Sequence, residues 1–530
     1  MKQILYLIPL ILIFTAPLYA EEVEGSEEAD ETFFYLLNLN NRFELKRNFL
    51  NSDDPSKLSF SEDGAGYYLY AGATFMWFVT DNTDLNLSLN TGIMKIKGLY
   101  YENGETTSQI NSMSPSEYAK KSLFIDEIYF ENDSAFKITA GKMNISNATE
   151  FVFNDYAFAA RLEFNLYREN KKTLNLGIQY NTIDGYFNSE YKKSPFIMAD
   201  ISYKDKKRFN LTLFSSFLYD NDNSFGRLLQ PFVAEFIKSR LTEKPLLDEV
   251  IQENCSDDLS SCLRIDSTGY AIWSGLDISG KIKHFTYRIT IIGNYGSMDI
   301  YPYLEYNGRI LDIYTKKSKF GKLTGELKYG DISMEGGMNS GGTSSGSVMN
   351  KTLSTRKMLG FTAFSQVGYK FFNLLEISPY FLFMSGDNDL EKSTYINSFI
   401  SVKSYITLSN IFFNGGLNET ASSRNFSIAG VNGHGVINPG IRFTLKKEES
   451  PFMLSSGFMQ FFASAVNNKN KRNYGFEADI VTSYSIARYL EISCEADYFK
   501  AGDFFSSAEG AIPSTYKILL GLDFYLDNLD

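Results

Sequence analysis

The amino-acid sequence predicts an all-β protein that folds as a single transmembrane antiparallel β-barrel of about 18 strands, within a range of about 16 to 20. Three observations lead to this prediction. Apolar and polar residues alternate with a period of two, short and long connections alternate along the chain, and aromatic residues are abundant, with 35 Tyr and 45 Phe against 2 Trp and 12 Pro. Because no linker divides the composition, we expect one continuous β architecture.

The N-terminus has the features of a cleaved secretory signal. Lys2 precedes an apolar run over residues 4–14, and small residues precede Ala20. This run is shorter than the roughly 20 residues that a membrane-spanning helix needs, and no later segment reaches that length. We therefore expect residues 1–20 to be removed as a signal peptide and residues 21–530 to form a barrel in the bacterial cell outer membrane. A retained anchor helix is the alternative.

The period-two alternation recurs in many segments and is clearest towards the C-terminus. Even positions are apolar and odd positions are mostly polar in residues 158–166, 174–181, 476–486 and 490–498. Alternate residues of a β-strand face opposite sides, so each predicted strand has one apolar and one polar face. A soluble β-sandwich or a β-helix is the alternative, but it gives no reason for an apolar outward face.

The connections between predicted strands alternate in length. Short links are predicted at residues 81–84, 132–134, 168–172, 205–207, 316–319 and 447–451, and long ones at 100–120, 145–155, 182–195, 220–267, 331–357, 385–433 and 500–514. Outer-membrane barrels have short turns on one rim and long loops on the other. We expect an even number of strands because both termini should lie on the same rim.

The polar face of the predicted strands carries charged side chains that parity directs inward. These candidate pore-lining residues are Lys137, Arg161, Glu163, Arg288, Arg442, Glu477, Asp479, Glu491, Glu495 and Asp497. A basic side chain facing lipid near the midplane costs roughly 2–4 kcal/mol, so an inward placement requires a hydrated interior. The arginines either form an electropositive wall that guides an anionic solute or pair with the acids and stiffen the wall.

Two further features lie in the long loop between residues 220 and 267. Residues 225–253 place apolar side chains at helical spacing, which predicts an amphipathic helical insertion that either constricts the lumen or packs on an outer loop. Cys255 and Cys262 flank an acidic segment. They either form a disulfide within the loop or remain free thiols. Cys494 lies on a predicted strand.

No group of residues predicts catalysis or metal binding. Residues 342–346 match a nucleophile-elbow pattern but lack the strand and helix that it needs, and the two histidines, His284 and His434, are predicted at the rims. Residues 220–224 and 387–389 offer oxygen ligands without calcium-loop spacing, so we interpret them as solvated acidic turns. We expect no enzyme activity and no cofactor. The net charge of −12 and the lack of a basic cluster argue against nucleic-acid binding.

Several motifs resemble those of the alginate-export family of outer-membrane porins. The matching segments are Phe383-Met384-Ser385-Gly386-Asp387, residues 474–484, residues 498–504, and residues 125–130 with 138–142. The resemblance implies an 18-stranded monomeric barrel. It also implies passive diffusion of a hydrophilic solute, in the best-known case an anionic polyuronate, past inward-facing arginines.

Together these observations predict a passive channel for a hydrophilic, anionic carbohydrate-type solute. The alternative is a surface-exposed structural or adhesin-type barrel with no role in transport, and conductance in planar bilayers would separate the two. The expected partners are outer-membrane lipid, the barrel-assembly machinery and the solute, and we expect the protein to be a monomer.

Overall fold

Eighteen antiparallel strands form one closed sheet in the computed structural model. The strands are β1 (Phe33–Leu50), β2 (Phe60–Thr80), β3 (Thr83–Asn90), β4 (Phe124–Asp133), β5 (Lys137–Ser146), β6 (Asn154–Glu169), β7 (Lys172–Asp184), β8 (Lys193–Asp205), β9 (Phe209–Asp220), β10 (Leu263–Ile282), β11 (Phe285–Tyr306), β12 (Ser354–Phe371), β13 (Leu375–Met384), β14 (Val436–Lys446), β15 (Phe452–Phe462), β16 (Asn473–Ala487), β17 (Leu490–Ala501) and β18 (Thr515–Asp527). The structure describes these strands together with residues 82, 94–95, 101–102, 105–106, 136, 151–153, 208, 225, 283–284, 309–317, 323–329, 372–374, 385–388, 390, 395–402, 406–413, 427–435, 447, 450–451, 463–466, 470–472, 488–489, 502–505 and 514.

Each strand pairs with the next, and β18 returns to pair with β1, with Leu36 opposite Asp527 and Arg47 opposite Tyr516. The predicted barrel of about 18 strands is therefore confirmed. Closure pairs the backbone N–H and C=O groups of every strand with a neighbour on each side, which is the condition for placing a sheet in hydrocarbon.

The two rims differ as the sequence predicts. Connections after even-numbered strands are short and form the short-turn rim, whereas those after odd-numbered strands form the long-loop rim. In the turn between β12 and β13, Phe372 and Asn373 have φ angles of 49° and 53°. Consecutive positive φ angles suit the right-handed twist of a tight hairpin.

One predicted short link is wrong. Residues 316–319 do not form a turn of the barrel rim. Arg309–Lys317 and Leu323–Tyr329 pair with each other as a hairpin that extends from the end of β11, with Tyr303 opposite Asp312. The ring continues directly from β11 to β12. A lysine-rich turn has the same sequence pattern at the barrel rim and in a hairpin beyond it. Which of the two it forms depends on how β11 pairs with β12, which is distant in the sequence.

The outer face of the barrel is apolar. Leu213, Ile289, Phe361 and Ile480 are 42–49% exposed, although they are large hydrophobic residues. Exposed aromatic side chains lie towards both ends of the strands, at the short-turn rim (Tyr167, Phe285, Tyr489) and towards the long-loop rim (Phe158, Tyr219, Tyr295). An apolar band between two aromatic girdles is typical of a transmembrane barrel.

Several sequence predictions concern residues outside the described part of the chain. These are the signal peptide over residues 1–20, the helical insertion apart from Phe225, the Cys255 and Cys262 pair, and the pattern at residues 342–346.

In the described part of the chain we find no helix that is both long and apolar enough to cross a membrane.

The hydrophobic core lies inside the barrel. It joins inward side chains of the wall, such as Trp273 and Phe461, to side chains of residues 395–402 and 406–413, such as Phe399 and Phe412. We call these two stretches the inner segment. It belongs to the connection between β13 and β14, which is long and starts at the long-loop rim as predicted for residues 385–433, and it folds from that rim into the lumen.

A basic residue on the outer face should destabilise the barrel. Leu213 faces outwards between Ile201 on β8 and Leu276 on β10. We expect Leu213→Arg to lower the free energy of unfolding in lipid by about 2–4 kcal/mol, because its guanidinium replaces an apolar contact with hydrocarbon. Denaturant unfolding in vesicles measures this, with Leu213→Ala as the size control. A cost no greater than that of the alanine variant would contradict an outward-facing Leu213.

Cys494 should be hidden from water. It lies opposite Thr482 and Leu520, and Ile492 on the same face of β17 is 45% exposed. We expect a membrane-impermeant thiol reagent to leave Cys494 unlabelled in vesicles once Cys255 and Cys262 are replaced by serine. In the same background, Ser493→Cys combined with Cys494→Ser is the inward-facing control and should react. Rapid labelling of Cys494 would reverse the assigned faces of β17.

Candidate functional site

The inner segment is far more apolar than an outer loop exposed to water. Its fully buried side chains include Phe399, Ile400, Val402, Ile411, Phe412 and Phe413. Removing this apolar surface from water favours placing the segment in the lumen. Its backbone polar groups must then find partners on the barrel wall.

One end of the inner segment is bound to β10 and β11. The indole N–H of Trp273 donates to the carbonyl oxygen of Ile400 at 2.7 Å, and the Ile400 N–H donates to Asn294 Oδ1 at 3.4 Å. The N–H of Val402 donates to the carbonyl oxygen of Val152 at 2.7 Å. Val152 belongs to the connection between β5 and β6, so its described residues 151–153 also lie inside the barrel.

The other end is bound to Glu477 on β16. The carboxylate of Glu477 accepts hydrogen bonds from three consecutive backbone N–H groups, those of Asn410 at 2.8 Å, Ile411 at 2.7 Å and Phe412 at 2.8 Å. Hydrogen bonds to a charged group contribute about 1.5–3 kcal/mol each, roughly twice a neutral one. Glu477 is fully buried. The predicted pore-lining carboxylate therefore binds protein backbone instead of facing water.

Two neighbouring carboxylates complete this contact. The Asn410 N–H also lies 3.3 Å from Asp479 Oδ2, and the side-chain amide of Asn410 donates to Asp497 Oδ1 at 3.0 Å. Within the segment, the hydroxyl of Ser409 accepts the N–H of Phe413 at 2.9 Å, a local bond that favours a turn. Asp479 and Asp497 are 7% and 4% exposed, so they too are covered by the inner segment.

Aromatic side chains pack the turn onto the wall. The ring of Phe412 stacks on that of Phe461 with 4.1 Å between centroids and 19° between planes. Tyr474 and Phe499 flank it at centroid distances of 5.3 Å and 6.1 Å. These contacts join β15, β16 and β17 beneath one loop side chain, and such pairs add to the free energy of area burial.

The chain enters the lumen at the Ser385-Gly386-Asp387 motif. The hydroxyl of Ser385 accepts the Phe361 N–H at 2.8 Å and donates to the carbonyl oxygen of Asn397 at 2.7 Å. A Cβ atom on Gly386 would lie 2.1 Å from the carbonyl oxygen of His434, so only glycine permits this approach. Part of the motif that carries the family resemblance thus shapes the entry to the inner segment.

The predicted solvated acidic turns are wrong in both places that the structure describes. Asp387 is 4% exposed and its Oδ2 accepts the N–H of Asn397 at 2.9 Å. Asp220 is fully buried, and its Oδ2 accepts the Phe225 N–H at 3.1 Å and the Ser267 hydroxyl at 2.9 Å. Short acidic side chains satisfy nearby backbone donors inside the fold as readily as they face water.

Two of the predicted inward arginines form ion pairs along the wall. Arg161 lies 2.8 Å from Asp200 and 3.5 Å from Glu163, and it crosses β7 where Gly177 leaves room, since a Cβ atom there would lie 2.4 Å from the guanidinium. Arg288 lies 3.0 Å from Asp277. Both arginines are therefore neutralised by carboxylates of the wall.

Of the other predicted lumen residues, Lys137 and Glu495 also form ion pairs. Lys137 pairs with Glu131, and Glu495 pairs with Lys517, each at 2.5 Å, while the half-buried Glu491 lies opposite Asp523 in the register. Arg442 differs from these. It donates to the carbonyl oxygen of Thr407 at 3.0 Å, and among the described residues no carboxylate lies within ion-pair distance of it.

Sequence reasoning missed Asn410, Phe412 and Phe413 as members of the site. The available signal was an outer loop with many large apolar residues between positions 396 and 413. Helical spacing gives a stronger pattern in residues 225–253, for which constriction of the lumen is one of the two predicted alternatives.

The described residues contain no group of three or more His, Cys, Asp and Glu side chains placed to hold a metal ion. The prediction of a rim position holds for His284, which lies in the short turn between β10 and β11. His434 lies in the turn directly before β14, at the long-loop rim, with its ring 5.4 Å from that of Phe504.

No protein-family profile and no curated protein matches the chain. Among solved structures, OccAB1 of Acinetobacter baumannii is 10% identical with a TM-score of 0.49, covering 96% of this chain and 100% of that one. OccAB3 of Acinetobacter baumannii is 9% identical with a TM-score of 0.46, covering 93% and 99%. OpdK of Pseudomonas aeruginosa, solved with vanillate, is 8% identical with a TM-score of 0.42, covering 94% and 99%. The resemblance to alginate-export porins stays a prediction.

Acidification should weaken the packing around His434. Burial lowers the pKa of this imidazole from 6.5, and nearby Asp387 opposes the shift in part. As the pH falls through 6.5, the unfolded chain binds a proton that the folded chain does not, so the free energy of unfolding decreases until the pH passes below the folded-state pKa. Unfolding of wild type and His434→Gln between about pH 7.5 and 5.5 measures this. Equal pH dependence in the two proteins would contradict the lowered pKa.

Proposed function

We propose that the chain is a bacterial outer-membrane channel that lets a hydrophilic solute diffuse passively through the barrel. One observation carries this proposal: the closed ring has an apolar outer face and a charged inner wall. It reaches the membrane after removal of its signal peptide, is folded by the barrel-assembly machinery, acts as a monomer in outer-membrane lipid and needs no cofactor.

The inner wall supports a hydrated path. Arg161 and Arg288 keep 26% and 34% of their side-chain surface exposed within the barrel, although each is paired. Ion pairs in a dry interior lose more hydration than their attraction returns, so partly exposed pairs favour a water-filled lumen. The inner segment crosses this lumen from the long-loop side and makes the pore narrower than the ring.

The finer proposal is an anionic solute of the carbohydrate type, the class that the alginate-export resemblance implies. Arg442 supports it, because its half-buried guanidinium donates to the carbonyl oxygen of Thr407 and has further donors for a carboxylate. The paired Arg161 and Arg288 fit the alternative role of stiffening the wall. The electropositive wall expected from three arginines is thus reduced to one unpaired guanidinium at the edge of the inner segment.

The Arg442 side chain should influence ion preference. We expect Arg442→Gln to lower the anion-to-cation permeability ratio about twofold in low salt, because one unpaired charge in a low-dielectric pore acts strongly on a passing ion. The reversal potential under a salt gradient measures this ratio. Arg442→Lys keeps the charge and should resemble the wild type.

The double variant Arg288→Gln with Asp277→Asn is the matched control, since it removes a neutral pair and should leave the ratio unchanged. If the control moves the reversal potential as far as Arg442→Gln does, selectivity does not reside at Arg442. A wild-type protein that inserts but does not conduct would overturn the channel and favour the adhesin-type alternative.

A further inference from the structure

We propose that Glu477 is the positioning residue that holds the inner segment across the lumen and thereby sets the largest solute that the pore admits. This inference rests on the channel function proposed above. It concerns a residue predicted to line the pore, which instead binds the loop that narrows it.

The backbone N–H groups of residues 410–412 depend on one carboxylate. Glu477 Oε1 accepts the N–H groups of Asn410 and Ile411, and Oε2 accepts that of Phe412. Successive N–H groups of a turn form a concave site that binds an anion. Removing the carboxylate would leave several donors facing a buried apolar site, which is costly unless the turn moves out to meet water.

The neighbouring acids do not replace Glu477. Asp479 reaches a single N–H, that of Asn410, at the longer distance of 3.3 Å. Asp497 binds the side chain of Asn410 and leaves the backbone of the turn untouched. Glu477 therefore makes more and shorter hydrogen bonds to the backbone of the turn than either aspartate does.

The barrel wall does not need the Glu477 side chain. Its backbone is held by the ladder, opposite Met459 on β15 and Phe499 on β17. Residues 395–402 also have separate attachments, including Trp273 to Ile400 and Val152 to Val402. Loss of the carboxylate should therefore free the backbone of residues 410–412. The ring, the first half of the inner segment and the bond from Arg442 to Thr407 should stay in place.

The experiment uses the full mature protein in planar bilayers and in liposome-swelling assays with sugars of increasing size. We expect Glu477→Ala to raise single-channel conductance about twofold or more and to admit larger sugars, because the freed turn leaves the narrowest part of the pore. Glu477→Gln keeps one accepting oxygen and should give a smaller change of the same sign. Glu376→Gln is the matched control, an inner-wall carboxylate that binds Thr286 and Ser378 but not the inner segment.

Heat-modifiable migration in gels shows whether each variant is folded, and amide hydrogen exchange of residues 410–412 reports the turn directly. If Glu477→Ala fails to fold, Glu477→Gln decides the question by the same measurements. Folded variants with wild-type conductance, wild-type sugar limit and protected amides would overturn the proposal. A wild-type protein that inserts without conducting would overturn the channel and with it the size limit, and the exchange rates would then decide whether Glu477 positions the turn.

Discussion

The structure depends on one constraint: a polar backbone group that cannot reach water must find its partner within the chain. In the wall this constraint requires a closed ring, and the pairing of β1 with β18 closes it. In the lumen it applies again to the inner segment, whose apolar side chains carry backbone N–H groups away from solvent. The carboxylate of Glu477 and the amide oxygen of Asn294 accept hydrogen bonds from those N–H groups.

The same constraint divides the interior into two chemically different halves. Towards the short-turn rim the wall carries partly hydrated ion pairs such as Arg161 with Asp200 and Arg288 with Asp277. Towards the long-loop rim it is packed with aromatic side chains such as Phe461 and Phe499 around the inner segment. The channel proposed above would therefore have two different parts: one lined by the inner segment with Glu477 and Arg442 beside it, and one where paired charges produce little net field.

The sequence predicts the wall well because the alternation of apolar and polar residues within each strand shows which side chains face lipid and which face the lumen. Phe158 and Arg161 lie on opposite faces of β6 for the same reason that they have opposite parity in the sequence. The inner segment has no such local signal. Whether Asn410 faces water or wall depends on Glu477, 67 residues later, and that partner becomes a neighbour only after the strands have paired. The acidic turns at Asp220 and Asp387 were misinterpreted for the same reason.

The attachments of the inner segment also connect two separate parts of the barrel wall. Ile400 is tied to Trp273 on β10, whereas Asn410 and Phe412 are tied to Glu477 on β16. These two strands stand on well-separated arcs of the ring. A closed ring of 18 strands can flatten without breaking the hydrogen bonds between neighbouring strands. Because the inner segment is bonded to both arcs, flattening the ring would have to stretch or break those contacts.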